Sequence, residues 1–93
     1  MTHEELKDYI CERGYEDTVI FENPAYDSAF IGLSTDGNAV YNYELMIDDL
    51  VKEDGMDYEE AMEFIDYNTV RALPYMGNRA PIILYPCEEM TEV

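Results

Sequence analysis

Cations are what this sequence has least of: five Lys plus Arg stand against 22 Asp plus Glu in 93 residues, a formal charge of −17. Nucleic acids and anionic lipids are held by clustered cations, so direct binding to DNA, RNA or a membrane surface is not expected. Histidine occurs once, as His3 beside the N-terminus. A Ser/His or Cys/His mechanism would then rest on a terminal residue, and a surface role for His3 is the plainer expectation. Cys11 and Cys87 lie near opposite ends with no CxxC or Cys/His pattern. Zinc is therefore not expected, a disulfide would require the termini to meet, and reduced, partly buried thiols are the simpler reading.

Other motifs are missing too. There is no GxGxxG, Walker A or GxSxG sequence, and His3-Glu4-Glu5-Leu6-Lys7 lacks the second histidine of HExxH. An EF-hand register with Gly55 at its sixth position would put Leu50 first, Lys52 third and Ala61 twelfth, none of them able to serve as the required carboxylate. Neither an enzyme nor a resident metal or cofactor is expected. No apolar run reaches the roughly 20 residues that cross a bilayer. Met1-Thr2-His3-Glu4-Glu5 lacks the basic start and apolar core of a signal peptide, so a cytoplasmic protein is expected.

What is present suffices for a core. Hydrophobic residues make up 47% and aromatics 13%, too many for a chain kept unfolded by its charge, and the length fits one domain over residues 1–93. Thr2 and Glu5 form a capping box ahead of Leu6, Tyr9 and Ile10, predicting a helix over 3–13 that stops at Gly14. Tyr15 to Asp27 reads as a short strand or extended arm, broken at Asn23-Pro24. Residues 28–34 and 38–43 flank Thr35-Asp36-Gly37 and predict a β-hairpin. Tyr43, Met46, Ile47, Leu50 and Val51 follow helical spacing, predicting a second helix over 44–54 closed by Gly55. Asp57 with Glu60 opens a third helix, expected to last to about Ala72 because Pro74 disfavours helix at Leu73. Pro81 to Pro86 predicts a last strand beside the hairpin, and 87–93 a frayed acidic tail. The expected fold class is α+β: a small single domain with a three-stranded antiparallel sheet packed against two or three amphipathic helices.

The acids are ordered along these helices. Glu4, Asp8 and Glu12 recur every fourth residue on the first, Glu44/Asp48 and Asp49/Glu53 on the second, and Glu59, Glu60, Glu63 and Asp66 crowd the third. Like charges so placed lie about 6 Å apart and cost a helix roughly 0.2 to 0.5 kcal/mol per pair, where alternating Glu and Lys would gain as much. One explanation is a surface that imitates a row of phosphates and enters the cationic groove of a nucleic-acid-handling protein. Its partner-binding residues would be Glu4, Asp8, Glu12, Asp48, Asp49, Glu53, Glu59, Glu60, Glu63 and Asp66. The other is a solvated acidic face kept for solubility, on a structural or regulatory interaction module or a homodimer. Among nine tyrosines, Tyr15, Tyr26 and Tyr41 are candidate interface anchors, although tyrosines at such spacing also serve as core.

Residues 58–86, YEEAMEFIDYNTVRALPYMGNRAPIILYP, with the preceding SAFIGLSTDGNAVYNYELMIDDLVKEDGM, resemble a group of small acidic proteins encoded by bacteriophages and integrative elements of Gram-positive bacteria. The most distinctive run is Asp66 to Tyr75, DYNTVRALPY, in which Asn68 and Arg71 are expected to bind the helix's last carbonyls or a neighbouring acid, or else a partner. The resemblance implies a mobile-element origin and no catalytic residues. By context it implies an anti-defence inhibitor of the anti-CRISPR or anti-restriction kind, acting in the host cytoplasm on a basic nucleic-acid-binding protein.

Overall fold

The computed structural model describes residues 1–87; the expected frayed tail lies outside them apart from Cys87. Helix α1 spans His3–Glu12 and opens as expected: Thr2 Oγ1 accepts the Glu5 N–H at 3.1 Å and Glu5 Oε1 accepts the Thr2 N–H at 2.8 Å. Leu6 and Ile10, one turn apart, are its buried stripe. From Tyr15 the chain runs as an arm that forms no strand; it opens on a turn in which the Thr18 N–H donates to the Tyr15 carbonyl at 3.1 Å, and is tied to the rest by the Val19 N–H donating to the Arg79 carbonyl at 3.1 Å. A 3-10 turn over Asp27–Ala29 leads into strand β1 (Phe30–Leu33). Strand β2 (Ala39–Asn42) completes the hairpin, with Phe30 opposite Tyr41, Leu33 opposite Ala39, and a bulge between Phe30 and Gly32.

Asn42 ends β2 and caps helix α2 (Tyr43–Asp54), its Oδ1 accepting the Leu45 N–H at 3.1 Å, so strand passes to helix with no loop. Gly55, with φ 69°, stops α2 in the left-handed conformation that glycine adopts without penalty. Helix α3 (Tyr58–Phe64) begins with the Asp57/Glu60 capping box. Here the structure departs from the expected single helix ending near Ala72. The backbone widens to a π turn over Ile65–Thr69, then tightens to a 3-10 segment over Val70–Tyr75 that carries Pro74 inside it. A proline ring clashes with the carbonyl four residues back in an α-helix, whereas its fixed φ lies within the 3-10 range.

Strand β3 (Ile82–Leu84) corrects the second expectation. It lies beside β2, with Val40 opposite Ile82 and Asn42 opposite Leu84, but runs parallel to it, so the β1-β2-β3 sheet is mixed rather than antiparallel. The chain from Tyr43 to Pro81 is a helical crossover, far longer than the dozen or so residues that a parallel pair requires. Asn38 fixes the return: its side-chain amide donates to the Asn78 and Ala80 carbonyls at 3.2 and 2.9 Å.

The core lies between the sheet and the helices, with Tyr26, Tyr41, Met46, Ile47, Leu50 and Ile65 almost wholly enclosed. Phe21 meets Tyr26 edge-to-face and Tyr41 at a tilt, at centroid distances of 5.4 and 4.8 Å, and Phe30 meets Tyr41 edge-to-face at 5.7 Å. Tyr26 and Tyr41 are therefore core residues and not the interface anchors they could have been; Tyr15 is half-buried. Tyr26 holds a left-handed backbone (φ 53°), which a bulky side chain adopts only when its surroundings insist. Both cysteines are exposed free thiols, neither bridged nor partly buried as expected.

Candidate functional site

On each helix the core side chains fix where the acids point. Leu6 and Ile10 face inward on α1, and a rotation of about 100° per residue places Glu4, Asp8 and Glu12 on the opposite face, where all three are exposed. On α2, Met46, Ile47 and Leu50 face the core, and the acids divide between two flanks: Glu44 and Asp48 on one, Asp49 and Glu53 on the other. Glu59, Glu60 and Glu63 are exposed on α3, and Asp66 is exposed in the π turn.

Some of these carboxylates meet. A cleft of about 650 Å³ opens between the Asn23–Ser28 loop and the end of α2, and its wall includes Asp27, Asp49, Glu53, Asp54 and Phe64. Ser28 Oγ donates to Asp49 Oδ1 at 3.0 Å. A shallower hollow of about 220 Å³ shares Ser28, Asp49 and Glu53 and adds Asp48 and Lys52. A third, of about 330 Å³, brings Glu60 and Glu63 beside Phe64, Tyr67 and Asn68. Phe64 belongs to both this hollow and the large cleft, so the α2 and α3 acids border one tract. Glu4, Asp8 and Glu12 line none of these depressions and form a separate row.

The cations do little to neutralise the acids. Among the described residues, side-chain ion pairs join only His3 to Glu22 and Asp27, and Lys7 to Glu22. Arg13 and Arg71 lie over the rings of Tyr9 and Tyr67 at 4.9 and 5.4 Å, and Arg79 Nη1 donates to the Asp36 carbonyl. Arg71 thus stacks on an aromatic ring, where a helix carbonyl or an acid was the expected partner. Three of the expected partner-binding acids have hydrogen-bonding duties within the fold. Asp49 accepts from Ser28, Glu60 from the Asp57 N–H at 3.3 Å, and Asp66 from the Tyr43 hydroxyl at 3.3 Å.

Compared with protein-family models, with curated proteins and with solved structures, the chain matches none. Among the described residues no three His, Cys, Asp or Glu side chains are grouped so as to hold a metal ion, and no helix is long and apolar enough to cross a membrane.

Sequence reasoning missed three features of this surface. Asp27 and Asp54 join the large cleft although neither belongs to an i+4 row; only the fold brings the loop against α2. His3 is more than a surface residue. Its Nδ1 lies 2.7 Å from Asp27 Oδ1 and its Nε2 2.6 Å from Glu22 Oε2, which ties the start of α1 to the arm and to the 3-10 turn. The hydrogen bond to Asp27, with that to Glu22, holds the His3 pKa above its ordinary value against the opposing effect of burial. A tyrosine cluster is the third: Tyr43, the first residue of α2, packs on Tyr85 with ring centroids 4.7 Å apart, and Tyr58 donates to Glu44 at 3.0 Å. Burial, and then the Asp66 carboxylate, push the Tyr43 hydroxyl pKa up to about 12.

Proposed function

We propose that the chain is a non-enzymatic acidic inhibitor that occupies the cationic nucleic-acid groove of a host defence or nucleic-acid-processing protein, as a nucleic-acid mimic of the anti-CRISPR or anti-restriction type. The observation that carries this reading is the outward, un-ion-paired arrangement of Glu4, Asp8 and Glu12 on α1 and of Asp48, Asp49, Glu53, Glu59, Glu60, Glu63 and Asp66 across α2, α3 and the π turn. Carboxylates left without internal cations keep their full field for a basic surface, which steers association and opposes binding of a polyanionic substrate.

Capture from a Gram-positive bacterial lysate, with the protein and its double-Lys variants on each acidic row as baits, tests it. The expected result is a nucleic-acid-processing protein that is retained at low salt, released at high salt, displaced by duplex DNA, and lost on charge reversal. Retention unchanged by salt and by the Lys substitutions would sink the reading.

One observation favours a second reading, that of a structural or regulatory interaction module. The sheet face turned away from the helices carries Ile31, Ile82 and Leu84, each more than 40% exposed, with Val40 half-buried between them. Parallel strands are normally covered on both faces. Association that persists at high salt and is lost on Ile82→Ser would mark that module, including its homodimeric form.

A further inference from the structure

Three tyrosines and two carboxylates converge at the end of the sheet where β2 enters α2. Tyr85, just past β3, is 64% exposed and backed by the buried Tyr43 ring at 4.7 Å, with 47° between the ring planes. Tyr43 donates to Asp66 at 3.3 Å, and Tyr58, half-exposed, donates to Glu44 at 3.0 Å. The π turn over Ile65–Thr69 carries Asp66, and such insertions recur at functional sites.

The chain itself shows what settles on its tyrosines. Arg13 and Arg71, two of its five cations, lie over the Tyr9 and Tyr67 rings, although carboxylates abound. Among the described residues no arginine lies over the Tyr85 ring, which packs instead on Tyr43, whose hydroxyl donates to Asp66. An exposed aromatic face attracts a guanidinium through its quadrupole, and a carboxylate at the ring's edge takes the N–H groups of the same planar fork.

We propose that Tyr85, backed by Tyr43 and flanked by Tyr58, Glu44 and Asp66, is the seat for an arginine side chain of a basic protein partner. The proposal rests on the reading of this chain as a binder of a basic protein, and adds to it a discrete aromatic anchor. A second copy of this chain is a poor occupant, since it would bring −17 against −17. An arginine on the partner offers a flat cation to the ring and N–H groups to a neighbouring carboxylate, whereas lysine, a compact and strongly hydrated ammonium, offers no planar fork.

The test uses the full chain with labelled tyrosine rings, titrated by NMR at fixed ionic strength with Nα-acetylarginine amide and, separately, Nα-acetyllysine amide. Saturable shifts of the Tyr85 and Tyr58 ring signals are expected, with the arginine amide binding at least about twofold more tightly than the lysine amide. Tyr75, 89% exposed, is the control ring and should not respond. Tyr85→Leu should abolish the saturable shift, and Asp66→Asn should weaken binding about twofold to fivefold. Equal responses to both amides, or an equal response at Tyr75, would overturn the seat and leave only a diffuse counterion atmosphere. The two readings fail separately. Loss of the seat with charge-reversal sensitivity of the captured target intact removes the anchor alone, whereas a working seat on a chain whose capture ignores charge reversal removes the groove-binding reading.

Discussion

The Tyr26 hydroxyl and Thr69 Oγ1 share a buried hydrogen bond of 3.0 Å that joins the loop ahead of β1 to the end of the π turn. Tyr26 is 1% exposed and Thr69 7%. Burial raises the Tyr26 pKa, so the phenol stays protonated at neutral pH and able to take part in this bond. Tyr26→Phe leaves the Thr69 hydroxyl enclosed without that partner and should cost about 1 to 3 kcal/mol in urea unfolding. Adding Thr69→Val removes the orphaned group, so the double variant should cost less than the sum of the two single ones. Strict additivity would show that the bond is not a shared one.

His3 should make stability depend on pH in one direction only. Its folded pKa is raised by hydrogen bonds to Asp27 and Glu22, with Lys7 the facing cation, 3.8 Å from Glu22. A raised folded pKa means that the added stability is fully present below the unfolded value of about 6.5 and is lost as pH rises through the folded value. The difference in unfolding free energy between the protein and His3→Gln should therefore be largest below about pH 6.5 and shrink in alkali. A difference that stays constant with pH would mean that only the shape of the ring matters.

The features legible in the sequence are those decided within one turn of chain. Thr2/Glu5 and Asp57/Glu60 are capping boxes in both sequence and structure, since donor and acceptor stand three residues apart whatever the rest of the molecule does. The hairpin at Thr35-Asp36-Gly37 and the stop at Gly55 are legible for the same reason. The place of strand β3 beside the hairpin follows from its apolar run, but its direction depends on where a long crossover ends, and Asn38 binding the Asn78 and Ala80 carbonyls has no local signature. The π turn is likewise set by packing, with Ile65 and Thr69 both buried. The i+4 rows of the acidic surface could be read directly. That Asp27 joins Asp49 and Glu53 at one cleft, while Glu4, Asp8 and Glu12 stand apart, is tertiary information.

Gly37 and Gly14 separate backbone strain from crowding. Their φ angles are nearly equal, +84° and +83°, so alanine meets the same left-handed penalty at each. At Gly14 a Cβ would meet nothing within 4 Å, whereas at Gly37 it would press on the Tyr15 ring and lie 2.7 Å from Arg79 Nη1. Gly14→Ala should cost about 1 kcal/mol, and Gly37→Ala a further 1 to 3 kcal/mol or so from overpacking, measured side by side in urea. Equal costs would mean that the arm and Arg79 yield freely at the hairpin tip.

Asp8→Lys sets stability against partner binding in one variant. Asp8 stands between Glu4 and Glu12 on the exposed face of α1, so the substitution converts two repulsive i,i+4 pairs into attractive ones. The free protein should gain about 1 kcal/mol, with the gain shrinking as added salt screens both arrangements. A surface kept only for solubility gives no reason for a basic partner to bind this variant less well. A surface kept for a cationic groove predicts weaker capture and a shallower salt dependence despite the higher stability. Urea unfolding and capture at several salt concentrations, run on the same preparation, decide between them: a more stable protein that binds less well identifies the repulsion along α1 as retained for the partner, and one that binds equally well removes α1 from the interface.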